Sequence, residues 1–262
     1  MIEHILYSGD VIICMVILGI FIPPAIFLVW ITNLPSLQKF FKSFAGVNGS
    51  FYSPATTMFA FTAAFLGASI WGNFISNTES VKKERQALFA YIEIIEHTPS
   101  LADSELRPLV KDYIVSTLED EWPLLVNQQI SEKTSAIFDE LYSKTVQVAM
   151  TSKSPIIGGL LTRAIESLQQ ARLQRVGFRW RNVEPLRWVF LLSIGFLAQL
   201  SIVATHLDKP GRPMALAMGI NTLLLIVVVG LIALSANPYV GVVNVSPEPL
   251  KYTLELLNSS GH

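Results

Sequence analysis

The chain has 262 residues, 51% of them hydrophobic and 15% charged, with a mean hydropathy of +0.47. A soluble domain carries about 25% charged residues, so this composition excludes an ordinary water-soluble globule. The net charge of −1 supplies no basic field to displace counterions from phosphates, which excludes nucleic acid, and a single cysteine, Cys14, excludes an intramolecular disulfide.

A span needs about 20 apolar residues to cross about 30 Å of hydrocarbon. Four uncharged runs meet this length, at about 11–31, 58–76, 188–205 and 214–236. The first is expected to be a retained span. Its leader holds Glu3 and Asp10 but no Lys or Arg, and no small-residue cleavage site follows. Pro23 and Pro24 remove two backbone donors and predict a kink, tolerated in a membrane where neighbours satisfy the freed carbonyls. The fold class expected is therefore an all-α integral membrane protein with four transmembrane helices in two pairs.

Orientation follows from the flanks of the long segment between spans two and three. Lys82, Lys83 and Arg85 follow the second span, and Arg172, Arg175, Arg179, Arg181 and Arg187 precede the third. Cations concentrate on cytoplasmic loops, which places this segment and both termini in the cytoplasm. Lys39 and Lys42 run against the rule, because they fall in the first external loop.

Residues 77–186 read as helices throughout. Leu88, Tyr91, Ile92 and Ile95 recur at helical spacing, as do Leu106, Leu109, Val110, Tyr113, Ile114, Thr117 and Leu118. Pro99 and Pro123 interrupt, and Ser131 starts a helix with Phe138, Leu141 and Tyr142 on one face. Ser154 followed by Pro155 is a start signal for the last helix, with Ser as cap and Pro in the first turn. The first and last of these helices are expected to continue the second and third spans into the cytoplasm. Residues 237–262 are expected to form a cytosolic C-terminal tail.

The second span carries the candidate site. At about 100° per residue, Thr62, Ser69, Asn73, Ser76 and Ser80 share one face, and Ala60, Ala64, Ala68 and Gly72 form a separate stripe. Small residues at this spacing let helices approach closely in lipid. Thr62, Ser69, Asn73 and Ser76 are expected to line a water-filled pore, with Phe65 and Leu66 as a hydrophobic constriction. The same hydroxyls and amide also serve as hydrogen-bond links between helices, and that alternative stands beside the pore. Four spans enclose little space, so a pore needs several copies around an axis.

Taken together, these segments resemble the bacterial bestrophin-like proteins from about Phe59 to Leu257. The resemblance rests on Glu84, Ala87 and Leu88; on Tyr113 to Glu121-Trp122-Pro123; and on Arg172 and Arg175 ahead of Pro185 and Trp188. The Asn237-Pro238-Tyr239-Val240-Gly241 turn and Ser246-Pro247-Glu248-Pro249 complete it. Relatives tend to show Asp-Asn-Pro-Phe where this chain has Ala236 and Tyr239, and it matches neither the bestrophin pore-neck sequence nor the calcium-binding clasp. The resemblance implies four spans in the inner membrane of a bacterium, cytoplasmic termini and a cytosolic helical domain inserted between spans two and three. It also implies self-association as a pentamer and the conduction of inorganic ions, because bestrophins are pentameric anion channels. A non-conducting scaffold or sensor, whose cytosolic helices bind a protein partner, is the alternative.

Arg172, Arg175 and Arg179 share a helix face near the membrane. A cationic vestibule, contact with anionic membrane lipid, and pairing with Glu79, Glu84 or Glu93 are the three readings of that face. Glu119, Asp120 and Glu121 lack calcium-loop spacing and read as a solvated helix face. Gln199 and Asn221 lie inside spans and are expected to bond a neighbouring helix. His4, His97, His206 and His262 are scattered, so no metal site and no cofactor is expected. No hydrolase, metalloprotease or dinucleotide motif occurs, so no catalytic residue is expected either. The spans hold no Asp, Glu, Lys or Arg, which argues against a proton-coupled transporter.

Overall fold

Long apolar runs and long apolar-faced runs both become helices, and the computed structural model, which describes residues 10–44, 46, 49–101, 105–127, 129–177, 185–240 and 244–259, holds helices joined by turns and no strand among those residues. Helix α1 is Asp10–Thr32, α2 is Gln38–Lys42, and α3 is Ser53–Glu96. Then come α4 (Leu106–Ser116), a π turn at Thr117–Glu121, α5 (Trp122–Leu125), α6 (Glu132–Thr151) and α7 (Pro155–Val176). Helices α8 (Pro185–Thr205), α9 (Arg212–Leu234) and α10 (Glu248–Ser259) complete the order. Among the described residues four helices, α1, α3, α8 and α9, are long and apolar enough to cross a membrane.

The chain divides into two units, one of Met1–Gly72 with Val183–Asn237, the other of Asn73–Asn182 with Pro238–His262. Helix α3 has 44 residues. At about 1.5 Å per residue it is about twice as long as the hydrocarbon is thick, as expected of a span that continues past it. The corresponding continuation into α8 falls on 178–184, outside the described residues.

In the first unit, Ile13, Ile17 and Phe21 of α1 meet Phe59, Leu66 and Ile70 of α3, Leu191 and Ile194 of α8, and Leu225 and Val229 of α9. Close approach here depends on Gly195, where a Cβ would stand 3.0 Å from the Phe21 ring. The outward sides stay apolar, with Ile26, Phe27, Phe61, Phe190, Leu216 and Leu223 all exposed. A helix apolar on all sides suits a lipid surround. Helix α1 runs through Pro23 and Pro24 without ending. Gln199 of α8 donates its Nε2 to the Phe21 carbonyl (3.0 Å) and to Thr222 (3.2 Å), and Asn221 accepts from the Tyr52 hydroxyl at 2.7 Å. Both polar groups thus bond a neighbouring element, as their sequence context predicts.

The second unit is built from amphipathic helices around Leu88, Tyr91, Val110, Ile114, Leu141, Leu161, Ile165 and Leu168. Ser131 caps α6, its hydroxyl accepting from the Thr134 amide at 3.1 Å. Ser154 occupies the cap position of α7 with Pro155 following, but its side chain makes no capping bond. The C-terminal segment packs into this unit, because Leu250 and Leu257 of α10 enter the core and Arg107 donates to the Leu257 carbonyl at 2.9 Å.

Candidate functional site

The residues singled out on the second span separate according to the packing of α3. Its buried side carries Phe59, Ala63, Leu66 and Ile70, spaced by three and four residues. Leu66 is 3% exposed and lies in the apolar core, whereas Phe65, one residue earlier, is 78% exposed. Thr62 and Ser69 sit between these extremes, half-buried. Thr62 donates its hydroxyl to the Met58 carbonyl at 2.8 Å. With Phe65, Leu66 and Ala68 they line a groove of about 940 Å³ whose far wall is Leu186, Arg187, Val189, Phe190 and Ser193 of α8. Four of the six residues expected at a pore are thereby brought to one concavity in the first unit. Asn73 and Ser76 follow on α3 in the second unit, both half-buried. Ala60, Ala64, Ala68 and Gly72, the small-residue stripe, are exposed.

The second feature is a set of buried charges. Arg175 is fully buried, and its Nε donates to Glu84 Oε2 at 2.5 Å. Its Nη2 reaches Glu84 Oε1 (3.1 Å) and Glu121 Oε2 (2.7 Å). Arg172, 8% exposed, donates to the other oxygen of Glu121 at 2.7 Å and to Ser135 at 3.0 Å. Tyr113 donates its hydroxyl to Glu84, and Tyr239 donates to the Arg175 carbonyl at 3.2 Å. The Arg175 guanidinium lies 5.9 Å from the Trp122 ring centroid, and that of Arg172 lies 5.3 Å from Phe138. Two guanidinium groups and two carboxylates cancel, which is what permits ions at this depth. Burial would lower the pKa of Arg175, but Glu84, Tyr113 and Glu121 outweigh it and hold the guanidinium charged. Burial, then the Glu84 charge, pushes the Tyr113 phenol well above its ordinary value.

Of the three readings open for the arginines, ion pairing is the one the geometry realises for Arg172 and Arg175, with Glu84 as one partner. Both guanidinium groups are taken up by these carboxylates, with Arg175 fully buried and Arg172 8% exposed. Arg179 and Arg181 lie outside the described residues. The acidic run is not a uniformly solvated face. Asp120 pairs with Lys133 at 2.8 Å and accepts from Ser116 at 2.9 Å, but Glu121 is wholly buried. The spacing of Glu121 from Val110, Tyr113 and Thr117 already carried that signal, since all four fall on one helical face. Among the described residues no group of three or more His, Cys, Asp or Glu is placed to hold a metal ion.

Residues 19–250 match the family described as Bestrophin-like domain. The fold is similar to two crystal structures of a bacterial bestrophin homologue from Klebsiella pneumoniae, each carrying one mutation. One has a TM-score of 0.65 at 12% identity, with 97% of this chain and 100% of that chain covered. The other has a TM-score of 0.66 at 12% identity, covering 92% and 99%. A third, described as a membrane protein, gives 0.66 at 12% identity over 97% and 99%. No curated protein is a significant sequence match.

Proposed function

This chain belongs to the bestrophin-like family, and from that premise we propose that it is a homo-oligomeric ion channel whose pore is lined by the second apolar span, α3. Characterised members of the family are ion channels. The observation that carries the assignment to α3 is the contrast between neighbouring side chains. Leu66 turns into the bundle, while Phe65 stands outward beside Thr62, Ser69 and a stripe of small residues. An apolar ring with hydroxyls next to it gates by dewetting when copies are arranged around an axis. In this reading Phe65 forms the constriction, with Leu66 packed behind it, and Thr62, Ser69, Asn73 and Ser76 extend the lining. The assembly is a pentamer by family likeness.

The second unit lies in the cytoplasm with both termini, supported by Lys82, Lys83, Arg85 and Arg187 near the span ends. Anion conduction rests on the family likeness alone, because Arg172 and Arg175 are occupied inside the second unit.

The test is single-channel recording of the purified chain in a planar bilayer under a salt gradient. Discrete openings are expected, altered by Phe65→Ala and by Asn73→Leu, with a reversal potential on the anion side. Unchanged currents in both variants, with assembly intact, would remove α3 from the pore. Silence from a monomer or tight dimer without an axial cavity would replace the channel with a scaffold.

A further inference from the structure

A second groove in the first unit has a different character. It runs between the antiparallel helices α1 and α9, with a volume of about 620 Å³, and Leu18, Ile22, Ile26 and Trp30 face Gly219 and Leu223 across it. From Leu18 it follows α1 to the helix end at Thr32 and reaches Asn33 just beyond, about 22 Å at helical rise, which exceeds half of a hydrocarbon layer about 30 Å thick. Its walls are apolar along the spans and become polar at the end marked by Asn33.

That end is where two loops meet. The Asn33 side-chain oxygen lies 3.9 Å from the position a Cβ would take on Gly211, and Gly211 has a φ of +93°, a turn that glycine permits. Lys209 and Arg212 flank this glycine, both exposed, and neither forms an ion pair among the described residues. Asp208, the acid of the same loop, accepts from the Gly46 amide at 3.0 Å. An apolar trough longer than one leaflet, whose end at Asn33 adjoins a loop with two exposed cations outside any ion pair, has the chemistry of a phospholipid: a tail for the trough and a phosphate for the cations. It also accounts for cations on loops where the positive-inside distribution predicts few.

We propose that the groove between α1 and α9 binds an acyl chain of an anionic phospholipid, with Lys209 and Arg212 holding its phosphate. The site is independent of whether the chain conducts. Each cation attracts an anionic headgroup by a factor of about five.

The test reconstitutes the full chain in phosphatidylcholine vesicles doped with brominated phosphatidylglycerol or, separately, with brominated phosphatidylcholine at equal bromine content. Trp30 lies in the groove wall, and the difference between the native chain and Trp30→Phe isolates its quenching. The anionic lipid is expected to quench Trp30 severalfold more strongly than the zwitterionic one. Arg212→Gln should reduce this preference about fivefold, and Gly219→Leu, which fills the trough without touching the headgroup site, should weaken quenching by both lipids. Equal quenching by the two lipids in the native chain overturns the proposal without recourse to any variant. A preference that survives Arg212→Gln combined with Lys209→Gln overturns the headgroup assignment, and full quenching in Gly219→Leu overturns the groove.

Discussion

Arg175 and Glu84 meet through a two-point contact, Nε to Oε2 at 2.5 Å and Nη2 to Oε1 at 3.1 Å, with both side chains sealed from water. The pair joins α7 to α3 across 91 positions of sequence, and Glu121 draws the π turn after α4 to the same guanidinium. Ions at this depth gain little net stability over apolar side chains, but removal of one partner leaves a bare charge.

The first prediction follows from that asymmetry. Arg175→Met should destabilise the protein by about 3–5 kcal/mol, because Glu84 and Glu121 both lose their common partner. The double variant Glu84→Met with Arg175→Met should be more stable than Arg175→Met alone, since Arg172 and Glu121 remain paired in it. Denaturant unfolding followed by Trp122 fluorescence measures both. Additive losses from the two single substitutions would show that the charges do not act as a unit.

How much of this was legible in the sequence depends on whether the signal was periodic. The spans were legible because hydrocarbon thickness sets their length, and the amphipathic helices of the second unit because Leu88, Tyr91 and Ile95 keep helical spacing. The charge cluster was half-legible. Glu84 shares a face with Val81 and Leu88, and Arg172 and Arg175 share one with Leu161, Ile165 and Leu168. A lone charge on an apolar stripe signals a buried partner, yet the arginines also sit where membrane-flanking cations belong. The groove between α1 and α9 left no trace, because helices that are apolar on every side have no favoured face from which to read their neighbours.

A buried tyrosine in the core of the second unit makes a prediction about alkali. Burial, opposed in part by its hydrogen bond to Thr145, pushes Tyr91 up from an ordinary pKa of 10.0 to about 12. A raised pKa means the folded state holds the proton more tightly. The associated stability is therefore complete below the unfolded value of 10.0 and is lost as pH rises through about 12. Helicity should persist to the lower of these values and fall between them, together with the appearance of tyrosinate absorbance. Tyr91→Phe should flatten that fall, and an unchanged pH profile in this variant would remove Tyr91 from the account.

A buried polar group in the membrane unit should matter far less than Arg175. Gln199 makes two hydrogen bonds, to the Phe21 carbonyl and to Thr222. Such bonds between membrane helices average about 0.6 kcal/mol each, so Gln199→Leu should cost only about 1 kcal/mol. Reversible unfolding in mixed micelles can resolve this, and a loss comparable to that of Arg175→Met would indicate that Gln199 organises the bundle rather than merely joining two helices.

Two adjacent glycines on α7 should respond to the same substitution with opposite signs. A Cβ on Gly158 would stand 2.7 Å from the Ala149 carbonyl oxygen, backbone that closes the last turn of α6 and cannot rotate aside. Gly158→Ala should therefore force α6 and α7 apart at their connection and cost about 1–3 kcal/mol. A Cβ on Gly159 would meet nothing within 4 Å, and the residue is exposed inside a helix. Gly159→Ala removes backbone freedom from the unfolded chain without a clash and should stabilise by about 0.5–1 kcal/mol. Hydrogen exchange over the α6–α7 connection separates the two, with faster exchange expected for Gly158→Ala and slower for Gly159→Ala. Equal protection in the two variants would mean that the helices do not pack at this turn as closely as the 2.7 Å approach requires.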